Sequence, residues 1–236
     1  AGARGGSAVM RPTRGETITL RWQGLASTAL ATGQGPVVLC LHGFPDHAFS
    51  FRHQLAPLAA AGFRVISPNL RGYEPSSQPG SAERNYHPMR VAFDVIEWAE
   101  QLGPLHLVGH DWGALVTFLA TAVAPERFRS ATVMAVPSFR AVEEGIGHHL
   151  GQLRNSWYMF FFQLRGLADW VVRSRDFAFI EKLWRDWSPG WNWEPEEMQR
   201  LKETFRRPGV LRAALSYYRA TFNPFLVDSR RMRSLA

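Results

Sequence analysis

The stretch Gly109-His110-Asp111-Trp112-Gly113 limits the possible folds of this chain more than any other. It lies directly between an apolar strand-like run, Leu105 to Val108, and an apolar helix-like run, Trp112 to Val123. A strand passing straight into a helix leaves room for a sharp turn only. Side chains at the flanking positions would collide with the helix and the neighbouring strand, so glycine is required on both sides. Asp111 stands at the apex of that turn.

The rest of the first half repeats the strand-to-helix rhythm. Thr17 to Trp22 and Ala26 to Ala31 alternate in polarity, as half-buried strands do. Pro36 to Leu41 is a continuous apolar run, the pattern of a strand buried on both faces, and a helix-like segment follows the turn-rich residues 42–46 as far as Ala61. Phe63 to Pro68 reads as the next strand, Pro88 to Leu102 as a helix carrying Val91, Phe93, Ile96 and Trp98, and Ala131 to Val136 as a further strand. This order predicts an α/β fold with a mostly parallel sheet flanked by helices. After Pro137 the strand signals cease, and seven of the nine tryptophans fall from Trp112 onward. Residues 1–137 are therefore expected to form the core, 138–222 a helical cap, and 223–236 the start of a return to the core. An α/β core should come back to a strand after such an insertion. None is visible before Ala236, so the C-terminal core strands and helix are expected to be missing.

Bulk properties exclude several classes. No apolar run approaches the ~18 residues that a membrane span needs, and residues 1–15 have no apolar core of a secretory signal. Cys40 is the single cysteine, which rules out an intrachain disulfide and a cysteine-based metal site and fits a reducing, cytoplasmic setting. The formal charge of +7 raises nucleic acid as a partner, but the arginines are scattered, with one tight group at Arg230, Arg231 and Arg233. Solvated surface charge accounts for them better.

The turn at Asp111 has the G-x-Nuc-x-G form of a nucleophile elbow, with aspartate where esterases carry serine. The competing reading is that Asp111 merely caps the following helix. His42-Gly43-Phe44-Pro45, at the exit of an earlier buried strand, weighs against it. Loops at the carboxyl ends of parallel strands converge on one crevice. The amide N–H groups of Phe44 and Trp112 can therefore share a site and form an oxyanion hole.

With these motifs in order, the chain resembles α/β-hydrolases of the epoxide-hydrolase and haloalkane-dehalogenase group. HGFPD, RVISPNLRGYEPSSQP, GHDWGALV and APERFRSATVMAVP each look like that group's core segments, over about residues 15–230. Asn69 departs mildly, standing where such proteins often have aspartate. The resemblance implies that Asp111 is a carboxylate nucleophile that opens an epoxide to a vicinal diol through a covalent alkyl-enzyme ester. A saturated carbon must be attacked by displacement, and an ionised carboxylate needs no base for that. Tyr158 and Tyr218 match the family's epoxide-activating pair, with Tyr217 as the register alternative. A phenol with a pKa of about 10 stays protonated at neutral pH and can donate to an alkoxide; the competing reading is aromatic packing. Trp157, Phe161 and Tyr217 are expected to line the substrate pocket, with Trp184, Trp187 and Trp191 as further cap packing or pocket wall. The implied partner is a small hydrophobic epoxide. No metal, cofactor, nucleic acid or membrane is implied, and the motifs specify neither the epoxide nor an oligomeric state.

The family's acid and general-base histidine come later in the chain than the nucleophile. All eight histidines here precede that place, and Asp228 is the last carboxylate. His148 and His149, at the opening of the cap, are poor substitutes. The resemblance thus implies that these 236 residues alone could alkylate Asp111 and stall. A haloalkane dehalogenase would share Asp111 and could use the Trp112 indole N–H toward a halide; the tyrosine pair favours epoxides. A binding module that retains the pocket without turnover is the alternative from another class.

Overall fold

The computed structural model describes residues 15–137 and 156–234. Six strands form one sheet: β1 (Glu16–Trp22), β2 (Leu25–Thr32), β3 (Val37–Leu41), β4 (Arg64–Pro68), β5 (Leu105–His110) and β6 (Phe128–Met134), in the order β1-β2-β4-β3-β5-β6. β1 and β2 pair antiparallel, and β2 meets β4 antiparallel. From β4 through β3 and β5 to β6 the pairing is parallel. This is the mostly parallel sheet expected from the sequence. The central strands β3 and β4 are almost wholly buried, as the unbroken apolar run of β3 requires, whereas β6 at the edge is largely exposed.

Helices α1 (Arg52–Ala60), α2 (Pro88–Leu102) and α3 (Trp112–Val123) connect these strands. α2 is amphipathic, and its inward face carries Val91, Val95 and Trp98. Trp98 is fully buried and meets Trp22 of β1 edge-on at 4.9 Å between ring centres. A side chain of this size removes roughly 200 Å² from water, which favours folding by about 5 kcal/mol before its lost rotamer entropy is counted. Five further helices follow residue 156: α4 (Trp157–Phe161), α5 (Leu167–Trp187), α6 (Pro195–Arg206), α7 (Val210–Thr221) and α8 (Val227–Ser234). No described helix is long and apolar enough to cross a membrane.

Two buried polar junctions tie the loop after β4 to the helices. Arg71 donates to Asp94 of α2 through Nε at 2.6 Å and through a second guanidinium nitrogen, with both side chains buried. The backbone oxygen of Arg71 also accepts from the Tyr217 hydroxyl of α7 at 2.7 Å. Asn69 explains its own departure from aspartate: its Oδ1 accepts from the Ala48 amide at 2.9 Å, while its Nδ2 donates to Glu74 Oε1 at 2.6 Å. An ionised aspartate could make the first bond but would turn an oxygen against Glu74 in the second.

Candidate active site

The turn between β5 and α3 is built as the glycines require. A Cβ at Gly113 would lie 2.1 Å from the backbone oxygen of Leu41 in β3, so no other residue lets the helix start this close to the sheet. Asp111 itself takes φ 54 and ψ −118, a left-handed conformation that costs a non-glycine residue on the order of 1–3 kcal/mol. Its carboxylate makes no capping bond to α3. Instead Oδ1 accepts from the Phe44 amide at 2.7 Å, and the adjacent Trp112 amide favours the ionised carboxylate electrostatically.

The Phe44 amide points this way because the peptide before it is pinned from the other side. The Gly43 oxygen lies 2.9 Å from His42 Nδ1 and 3.4 Å from the Tyr73 hydroxyl. The Leu70 amide donates to His42 Nε2 at 3.0 Å, which assigns the proton to Nδ1. Burial lowers the His42 pKa to about 3, so the ring is neutral and keeps this tautomer. In a trans peptide the C=O and the following N–H point in opposite directions. Holding the Gly43 oxygen therefore aims the Phe44 N–H at Asp111. At Gly43 a Cβ would fall 2.2 Å from Asp111 Oδ1, so glycine is needed there as well.

Asp111 lies on the floor of a cavity of about 360 Å³, bordered by Phe44, Asp46, His110, Tyr158 and the indoles of Trp184, Trp187 and Trp191. Part of its surface is open to the cavity, yet burial raises its proton affinity above the usual carboxylate range; the Phe44 and Trp112 amides and His110 oppose that rise. Asp46 is likewise raised, to about 6, mainly by burial, against a hydrogen bond from Ser50, the His47 amide and the charge of Arg52. Among the described residues, no group of three or more histidines, cysteines or carboxylates is arranged to hold a metal ion.

The two tyrosines of the motif-based pair converge here. Tyr158 is on the cavity wall, and Tyr218 is buried directly behind it, with ring centres 5.9 Å apart. Burial holds both phenols above their ordinary pKa, and the charge of Asp111 adds to the rise in each. The Tyr218 hydroxyl and the buried indole N–H of Trp112 are neighbours, with ring centres 4.8 Å apart; among the described residues neither has a further hydrogen-bond partner. Arg219 helps to seat Tyr218. Its buried guanidinium donates to the Phe162 oxygen at 2.9 Å and to Asp169 at 2.6 Å, which ties α7 to the start of α5 and the end of α4.

Other expected positions are placed elsewhere. Tyr217 does not border the cavity; its hydroxyl is bound to the Arg71 oxygen, because neighbouring residues on a helix point about 100° apart. Trp157 and Phe161 pack against Phe179 of α5 rather than on the cavity wall. The wall is instead made by Trp184, Trp187 and Trp191, and Trp184 Nε1 donates to the Pro45 oxygen at 3.1 Å. The second half of α5 reaches this position after a break at Ser174, followed by left-handed Arg175, Asp176 and Phe177 with φ of 48, 52 and 59. Asp176 is held there by Lys202 and Arg206 of α6. Neither this break nor the role of Tyr73 has a sequence signal. His148 and His149 lie outside the described residues.

Comparison with known proteins places this geometry in context. Residues 36–227 match the family model described as the alpha/beta hydrolase fold. Epoxide hydrolase 3 of Mus musculus is 31% identical over 205 residues, covering 85% of this chain and 55% of the relative. Epoxide hydrolase 3 of Siraitia grosvenorii is 35% identical over 173 residues, covering 70% and 52% respectively. The chain thus spans a little over half the length of these relatives. Among solved structures, an epoxide hydrolase of Bacillus megaterium in complex with an inhibitor superimposes with a TM-score of 0.79 at 27% identity, covering 91% of this chain and 75% of the other.

Proposed function

This chain belongs to the α/β-hydrolase fold family, in its epoxide-hydrolase-like branch, and from that premise we propose that it opens epoxides to vicinal diols through an ester on Asp111. The observation that carries the reading is one carboxylate on the cavity floor that accepts from the Phe44 amide, with the Tyr158 phenol on the wall of the same cavity and Tyr218 packed behind it. In the first step a carboxylate oxygen of Asp111 forms a bond to a ring carbon and the strained C–O bond breaks. The departing oxygen takes its proton from Tyr158 or Tyr218. In the second, water adds to the ester carbonyl of Asp111, negative charge develops on its oxygen, and collapse releases the diol and the carboxylate while the proton given up by water restores the phenol. The Phe44 and Trp112 amides are the donors that stabilise that charge; each such donor is worth on the order of 10²–10³ in rate. The helices after residue 156 act as the cap that supplies the phenols.

The second step needs a base for water. Among the described residues, His110 is the imidazole on the cavity wall. Its side chain is largely exposed and has no described hydrogen bond to a carboxylate that would orient it.

Intact mass after incubation with phenyl glycidyl ether tests the proposal. A gain of one epoxide on the peptide containing Asp111, absent in Asp111→Ala, is the expected result, with diol formation measured alongside. Neither adduct nor diol from the folded protein, across several epoxides, would overturn it. A carbon–halogen substrate is the second reading, favoured by the buried indole N–H of Trp112 next to Asp111. Release of halide with formation of the same Asp111 ester would identify it.

A further inference from the structure

Asp46 is not used in the chemistry above, yet it borders the same cavity as Asp111. It is half-buried, and its position is held on both sides. The His47 amide donates to its Oδ1 at 2.9 Å, and the oxygen of the preceding Pro45 accepts from Trp184 of the opposite wall at 3.1 Å. The two carboxylates are close enough for the charge of Asp111 to raise the proton affinity of Asp46. Arg52 is the cation whose field reaches Asp46, but its guanidinium is engaged by Glu197. Among the described residues bordering the cavity, none is lysine or arginine.

From this placement we infer that Asp46 is a specificity-determining residue: it makes the pocket favour neutral and cationic substrates over those that carry a carboxylate. A ligand anion in the cavity meets two fixed negative charges without a compensating cation on the described wall. In a site of intermediate dielectric, one such charge a few ångströms away changes affinity by roughly tenfold or more. A ligand cation meets the reverse field, and the faces of Trp184, Trp187 and Trp191 suit it as well, since indole is the best aromatic partner for a cation. The identification of the ligands as epoxides rests on the proposed function; the charge selection is a property of the cavity and can be read by binding alone.

The test uses 3-phenoxypropane-1,2-diols carrying a para carboxylate, methyl or trimethylammonium group, titrated calorimetrically at pH 7.5 and low salt. Wild-type protein is expected to bind the cation most tightly and the anion most weakly, with at least about tenfold between them. Asp46→Asn should narrow that spread about tenfold, whereas Asp46→Glu should keep it. Asp186→Asn, which removes an equal charge from the exposed face of α5, should leave it unchanged. Equal affinities in the wild type would overturn the inference whatever the variants do. So would a spread that survives Asp46→Asn, or one that Asp186→Asn narrows as much. The parent glycidyl ethers separate the two readings. The expected binding order with none of the ethers opened would remove the epoxide reading and leave Asp46 in its role. Ethers opened, with equal affinities for the three diols, would do the reverse.

Discussion

The Phe44 amide donates to Asp111 Oδ1 at 2.7 Å across 67 residues of sequence, and the peptide that carries it is pinned through the Gly43 oxygen. A methyl group at position 43 has nowhere to go but into the Asp111 carboxylate. Gly43→Ala is therefore expected to lower diol formation roughly 10²-fold, the usual cost of losing one oxyanion donor. Single-turnover kinetics with a neutral glycidyl ether check this, and a rate within threefold of wild type would refute the assignment of that amide.

Tyr217 and Tyr218 are adjacent, but their hydroxyls have opposite circumstances. Tyr218→Phe removes a hydroxyl whose neighbouring polar group among the described residues is the Trp112 indole N–H, so stability should change by no more than about 1 kcal/mol. Alkylation of Asp111 should nevertheless slow by roughly tenfold or more, because one of two general acids is lost. Tyr217→Phe strands the buried oxygen of Arg71 and should cost about 1–3 kcal/mol with alkylation unchanged. Urea unfolding and adduct kinetics on both variants would expose a reversed assignment at once.

The pH profile of alkylation follows from the two kinds of acid in the cavity. Asp111 attacks only when ionised, and burial raises its pKa, so the rate should climb with rising pH in a window above the ordinary carboxylate value of about 4. Both phenols are raised above 10 and stay protonated, so no fall is expected before about pH 10. Quenched-flow mass measurements from pH 4 to 10 test this. A bell with an alkaline limb near 8 would assign the proton donor to some other group.

Asn69→Asp should destabilise the fold by about 1–3 kcal/mol at neutral pH, since it sets a carboxylate against Glu74. The new aspartate would have a raised folded-state pKa. Its penalty would therefore be present above the unfolded value of about 4 and would vanish as pH falls below it. Thermal melts at pH 3.5 and 7 measure the difference; a penalty independent of pH would point to lost packing instead.

What the sequence by itself determined was the part of the site written into backbone turns. The glycines of residues 109–113 and 42–45 dictate where strands may pass into helices and how closely elements approach. That is enough to bring the Phe44 amide to Asp111 and to order the parallel strands around it. Those are short-range steric demands, and each leaves a residue type behind.

Tertiary structure alone decided which aromatic side chains border the cavity above Asp111. Tyr217 and Tyr218 are the same residue type, and the phase at which α7 docks, held by Arg219 against Phe162 and Asp169, sets Tyr218 against Tyr158 and Trp112 and turns Tyr217 to Arg71. Of the five aromatics expected as cap packing or pocket wall, Trp184, Trp187 and Trp191 border the cavity and Trp157 and Phe161 do not, because the left-handed turn at Arg175–Phe177 re-aims the second half of α5. That turn occurs in residues without glycine. It persists because Phe177 is buried and Asp176 is held by α6, contacts that no local pattern encodes.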